Sequence, residues 1–143
     1  MRLEIDSRLT EIPRAIRFVD EFCERHRLAQ GDADALNVVL DEILTNSIRY
    51  GLDEVAGHPI SITLDCLEGE IMVQVEDEGV AFDPTRAPAP AVGGSLAERK
   101  VGGLGLAFVR ELTHSIEYQR LPGRNRLTLR RRIDAGSVAV PGA

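Results

Sequence analysis

Between residues 12 and 78 the apolar side chains change their spacing once, and that change dictates most of what the chain can become. Ile16, Val19, Phe22 and Cys23 recur at helical spacing to about Leu28. After the break "AQGDAD", Leu36, Val39, Leu40, Ile43, Leu44 and Ile48 form a wide helical stripe reaching Tyr50. From residue 59 the period drops from 3.6 to 2: "PISITLDCL" and "EIMVQVEDE" alternate as strands around a turn at Glu68-Gly69. Two helices followed by a hairpin need a shared core, with the helices laid on a sheet.

The flanking segments fit that frame. "RLEID" at 2–6 reads as a short strand, Thr10 as an N-cap, and Pro13 as a residue of a first helical turn. Asp32 reads as the cap of the second helix and Gly51 as its stop. Phe82 to Gly105 is rich in Ala, Pro and Gly, a length that in a compact domain marks a lid or a disordered loop. "LGLAFVRELTH" makes a third helix. "SIEYQRL" and "RLTLRRRI" around "PGRN" make a closing hairpin. The expected fold is an α+β two-layer sandwich: a mixed, mostly antiparallel sheet covered on one face by helices. The expected organisation is one domain over 1–133, a lid at about 83–102 and a disordered tail at 134–143.

The formal net charge is −6, with 17 Lys and Arg against 23 Asp and Glu, which argues against general binding to nucleic acid or to an anionic membrane. The late basic run "RNRLTLRRR" is the exception. On a strand Arg130 and Arg132 share one face and Arg131 takes the other, so the run reads as a charged exposed edge that blocks aggregation. No apolar run approaches the roughly 18 residues of a membrane span, and no basic-then-apolar leader opens the chain. Cys23 and Cys66, without C-x-x-C spacing, read as two small apolar residues in a reducing cytoplasm.

Three short patterns could carry chemistry. In "LDEILTNSIRYGL", Glu42 and Asn46 stand four apart and leave one side of a helix, at the margin of its apolar stripe. A solvated helix edge would look the same. In "VEDEGVAFDP", Asp77 ends a strand and Gly79 follows. An aspartate there can accept a hydrogen bond from an amino group such as that of adenine, and a glycine lets a flat ring approach the backbone. An ordinary strand-ending turn uses the same residues. In "GGLGLAFVREL", Gly102, Gly103 and Gly105 lead into a helix, where free N–H groups and the dipole favour phosphate. A lid hinge would also use glycines.

Taken together and in this order, the patterns resemble those of the Bergerat (GHKL) ATPases, the superfamily of DNA gyrase and the histidine kinases. Within it the chain resembles the bacterial anti-sigma-factor serine/threonine kinases, over roughly residues 3 to 133. The resemblance implies binding of ATP or ADP with Mg²⁺. It gives Glu42 the role of base toward the attacking hydroxyl and Asn46 that of Mg²⁺ ligand. Asp77 would hold the adenine amine beside Gly79. Gly103 and Gly105 would offer N–H groups to the phosphates, and Thr128 would support the adenine side. A lid cation, Arg99 or Lys100, would contact the terminal phosphate. Such a protein would phosphorylate a STAS-domain anti-sigma-factor antagonist, sequester a sigma factor, form a homodimer and meet partners through Arg14 and Arg17.

The chain departs from the wider superfamily at Ala81, where a second glycine of an Asp-x-Gly-x-Gly box is usual, and at Tyr50, where many relatives carry histidine. Two other readings stay open: an ATP-binding regulatory module without transfer, and a histidine kinase catalytic domain.

Overall fold

The protein is described by a computed structural model, for residues 1–86 and 105–134. Strand β1 (Arg2–Ile5) leads through a 3₁₀ turn at Leu9–Glu11 into helix α1 (Ile12–Arg25). Helix α2 (Gln30–Asn46) follows and ends in a single π turn, Ser47–Gly51. Strands β2 (Ile60–Leu67) and β3 (Glu70–Asp77) form a hairpin. Residues 105–112 are helical (α3), and β4 (Ser115–Leu121) and β5 (Arg124–Arg132) close the chain. The lid expected at 83–102 and the tail expected at 134–143 fall almost wholly outside the described residues.

The five strands are ordered β1-β2-β3-β5-β4, and every pair is antiparallel. The sheet is therefore an α+β sheet without the parallel pairing that "mixed" would require. Its β2–β3 connection is the two-residue turn at Glu68-Gly69, both with positive φ (53° and 77°). That is the backbone hand matching strand twist.

One face of the sheet meets the helices. Ile60, Ile62 and Leu64 of β2, Ile71, Val73 and Val75 of β3, and Leu127 and Leu129 of β5 pack with Phe18, Val19 and Phe22 of α1 and Leu36, Leu40, Ile43 and Leu44 of α2. Each fully buried aliphatic side chain contributes about 1.5–3 kcal/mol. Cys23 is buried in this core and Cys66 packs partly against it. Burial pushes the Cys23 thiol up to about 12 and raises that of Cys66, so neither is a ready nucleophile.

The structure corrects several local expectations. Thr10 lies inside the 3₁₀ turn and Glu11 precedes α1, with Pro13 in the first turn as expected. α1 stops at Arg25, where Arg27 turns left-handed (φ 51°) and the Leu28 N–H reaches back to Cys23 O at 2.9 Å. Gly51 does not stop α2 with a positive φ. A Cβ there would come within 3.0 Å of the Phe82 ring, so the glycine provides room for a side chain from the next layer.

Asp32 is not a cap. It lies in the first turn of α2, fully buried, and accepts from Arg131 Nε at 3.0 Å. Arg131 also donates to Leu112 O at the end of α3 (3.0 Å) and to Asp134 (2.9 Å). A buried carboxylate needs such a partner, and this one ties the start of α2 to the end of α3. β5 is not an edge either, since it pairs with β3 on one side and β4 on the other. Its arginines meet acids of β3: Arg124 and Arg126 stand 3.5 and 3.6 Å from Glu76, and Arg130 3.7 Å from Glu70. Arg131 turns inward, as strand alternation requires. Among the described residues no helix is long and apolar enough to cross a membrane.

Candidate functional site

The site is built from the last turns of α2, the exit of β3, the first described residue of α3 and the turn end of the β4–β5 hairpin. Helical spacing places Glu42 and Asn46 one turn apart, and Asn46 Nδ2 donates to Glu42 Oε1 at 3.3 Å and to Pro84 O at 3.1 Å. Asn46 is buried and Glu42 half-buried. Burial raises the Glu42 carboxyl above its ordinary value; the Asn46 hydrogen bond works against this and the Asp41 charge with it. A carboxylate shifted upward is a better proton acceptor near neutral pH.

Gly105, the first described residue of α3, lies directly on Glu42. A Cβ at Gly105 would collide with the Glu42 carboxylate carbon and both its oxygens. Because 63 positions separate the two residues, only the tertiary fold brings the helix start to the carboxylate. Gly105→Ala is expected to leave the melting temperature near wild type, because a glutamate end can swing aside. Any transfer that depends on Glu42 should fall roughly tenfold, since small misplacements of a reacting group are costly. Thermal melts beside single-turnover kinetics would check both halves.

At the exit of β3, Asp77 is buried (8% exposed) and paired in register with Asn125 of β5. Asp77 Oδ1 accepts from Gly79 N and from Asn125 Nδ2, each at 2.9 Å. Gly79 sits where a side chain has no room: a Cβ would lie 2.6 Å from Leu52 Cδ2, 3.1 Å from Asp77 Oδ1 and 3.3 Å from Gly51 O. Gly79→Ala should therefore destabilise the protein by about 1–3 kcal/mol, the usual cost of overpacking, read as a lower midpoint in urea.

Thr128 is not where the expectation put it. On β5 Asn125, Leu127 and Leu129 face the helices, whereas Thr128 pairs with Gln74 on the opposite face, Gln74 Nε2 donating to its Oγ1 at 3.2 Å. The β5 residue that meets Asp77 is Asn125. In the sequence an asparagine in "PGRN" looks like a turn residue, and only the β3–β5 register sets it opposite Asp77. Residues 82–86, the start of the stretch expected as a lid, lie against both α2 and α3: Asn46 Nδ2 donates to Pro84 O (3.1 Å), Arg110 Nη2 to Thr85 O (3.3 Å) and Phe82 N to Asn125 Oδ1 (3.2 Å).

Gly102, Gly103, Arg99 and Lys100 lie outside the described residues. Arg14 and Arg17 are both exposed on α1. Arg14 stands 3.4 Å from Glu11, and Arg17 rims a groove of about 640 Å³ with Ile16, Asn37 and Val38. Tyr50 is half-exposed, its ring centroid 6.3 Å from that of Phe82.

Among the described residues no cluster of three or more His, Cys, Asp or Glu could hold a metal alone. The donor chemistry still fits Mg²⁺ bound through substrate phosphates. With Asn46 Nδ2 committed to Glu42 and Pro84, its carbonyl oxygen is left as a hard ligand, and Mg²⁺ commonly takes one or two protein oxygens beside phosphates and water.

The profile of the histidine kinase-like ATPase domain matches residues 5–131. Serine/threonine-protein kinase BtrW of Bordetella bronchiseptica is 33% identical over 129 residues, 89% of each chain. Among solved structures, the RsbU and RsbW domains of one Mycobacterium tuberculosis protein superpose with a TM-score of 0.60 at 16% identity, over 96% of this chain and 34% of that one. The histidine kinase domain of the blue-light activated histidine kinase of Erythrobacter litoralis EL346 superposes with a TM-score of 0.54 at 15% identity, over 93% of this chain and 64% of that one. At such identities the structural likeness concerns the fold alone, which is the Bergerat sandwich.

Proposed function

The chain belongs to the histidine kinase-like ATPase domain family, and from that premise we propose that it is an ATP-dependent serine/threonine protein kinase acting as an anti-sigma factor. Its substrate would be a hydroxyl of a STAS-domain antagonist, and it would sequester a sigma factor when not bound to that antagonist. Family membership implies ATP binding. The observation that carries the kinase reading is the contact between Glu42 and the start of α3, with Asn46 one turn further along α2. It sets a proton acceptor beside a helix end suited to phosphate.

In this reading Asp77 accepts from the adenine amine and Gly79 leaves the backbone open to the ring. Asn46 would hold Mg²⁺, which supplies charge neutralisation along the phosphates when bound. Glu42 takes the proton of the attacking serine or threonine hydroxyl as its oxygen bonds to the terminal phosphorus. The bond from that phosphorus to the bridging oxygen breaks, and the electron pair leaves with ADP. Most of the rate comes from alignment and charge, so few side chains suffice. The exposed Arg14 and Arg17 support partner contact through α1, and homodimer formation is proposed on the same family ground.

The test is phosphoryl transfer from γ-labelled Mg-ATP to STAS-domain proteins of the same genome. Label on a serine or threonine of one of them is the expected result. Saturable ATP binding with no transfer to any would overturn the kinase reading in favour of an ATP-binding regulatory module. Label on a histidine would favour the histidine kinase alternative.

A further inference from the structure

Among the described residues, the buried amide of Asn125 is held by five groups. Its Oδ1 accepts from Phe82 N (3.2 Å), from the Tyr118 hydroxyl (2.5 Å) and from Arg120 Nη1 (3.2 Å). Its Nδ2 donates to Val80 O (2.8 Å) and to Asp77 Oδ1 (2.9 Å). Donors on one end and acceptors on the other leave only one orientation, because a flipped amide would set N–H groups against N–H and O–H groups. The NH₂ therefore always faces Asp77.

Arg120 closes this arrangement from outside. It stands on β4, an edge strand, and the same Nη1 that reaches Asn125 also donates to Gly79 O at 2.7 Å. The Gly79 residue is thus held from both sides, its N–H by Asp77 and its carbonyl by Arg120. The two hydrogen bonds that the described residues make to Asp77 both fall on Oδ1. What remains for a ligand is Oδ2, an acceptor.

We propose that Arg120 is a specificity-positioning residue for the purine: through Asn125 and the Gly79 carbonyl it holds the Asp77 carboxylate so that only a 6-amino purine can meet it. The inference rests on the reading of Asp77 as the purine contact. Arg120 would act through these two groups and not by touching the ligand. Its part is to stop the 79–82 turn from shifting and the carboxylate from rotating to suit a 6-oxo purine. A carboxylate free to turn or retreat would tolerate the carbonyl of inosine, which a fixed one repels.

The experiment is calorimetric titration of Mg-ATP and Mg-ITP into the wild type, Arg120→Met and Arg120→Lys. Methionine keeps an apolar stem on an exposed position and removes both hydrogen bonds. The wild type should reject ITP on the order of 10²-fold, the cost of leaving a buried acceptor facing another acceptor. Arg120→Met, losing both bonds, should shrink that ratio about tenfold, because the loss reaches the ligand only through Asp77, with the melting temperature unchanged. Arg120→Lys, which can still reach one acceptor, should recover part of the ratio. An unchanged ratio, or ATP and ITP weakened equally, would overturn the role of Arg120 and leave Asp77 as the purine contact. A wild type that binds ATP and ITP alike would overturn both, since Asp77 would then not read the 6-position at all.

Discussion

Glu42→Gln should cut phosphoryl transfer by about 10²–10⁴-fold, the usual contribution of a positioned general base, and leave Mg-ATP affinity within a few-fold of wild type. Glutamine keeps the oxygen that accepts from Asn46 Nδ2 and keeps the volume beside Gly105, so the change removes the proton acceptor and little else. Quench-flow transfer beside nucleotide titration separates the two quantities. Lost binding instead of lost transfer would assign Glu42 a structural role. The wild-type rate should also rise with pH through a midpoint above the ordinary glutamate range, because burial raises this carboxyl and only its deprotonated form can take the proton. The sign for stability is opposite. A carboxyl raised in the folded state contributes stability below its unfolded value, and this is lost as pH rises through the folded value. At neutral pH Glu42 therefore opposes folding, and Glu42→Gln should melt no lower than wild type.

Asp77→Asn should weaken Mg-ATP binding by about 10²-fold or more. The new amide can keep its oxygen on Gly79 N and Asn125 Nδ2, which fixes its other end. That end then presents an NH₂ where Oδ2 had been, and the adenine amine meets a donor instead of an acceptor. Leaving two donors face to face in a buried place costs more than the hydrogen bond itself. ATP titration with the variant, supported by an unfolding curve to show that the fold persists, gives the answer. Undiminished affinity would move the adenine away from Asp77.

The helical pair was legible because i, i+4 spacing alone sets Glu42 and Asn46 on one side of a helix. Asp77 and Gly79 were legible because a strand pattern ends there in residues suited to a close backbone approach. The β5 residue that meets Asp77 was not legible. Thr128 and Asn125 differ by an odd number of positions on one strand, so they face opposite sides of the sheet, and parity relative to Asp77 depends on the β3–β5 register. Asp32 showed the same problem in another form. An aspartate after a helix break looks like a cap, yet this one is buried against an arginine 99 positions away.

The basic run illustrates the limit in the sheet as a whole. Its alternation was correct, Arg131 on one face and Arg130 and Arg132 on the other, because alternation is a property of one strand. Its place was not, because strand order depends on how the last hairpin docks beside β3, and local periodicity carries no such information.

What the chain determined by itself was everything of short range: the change of period that makes helices first and strands after, the left-handed turn at Glu68-Gly69, the side shared by Glu42 and Asn46, and the acid-glycine exit at Asp77. What only the tertiary structure decided was which distant residues complete those pieces: Gly105 on Glu42, Asn125 and Arg120 behind Asp77, Arg131 on Asp32. The physical reason is one of range. Dihedral preference and periodicity act within a few residues of a position. Long-range partners are selected when a sheet of five strands and its helices bury one common core.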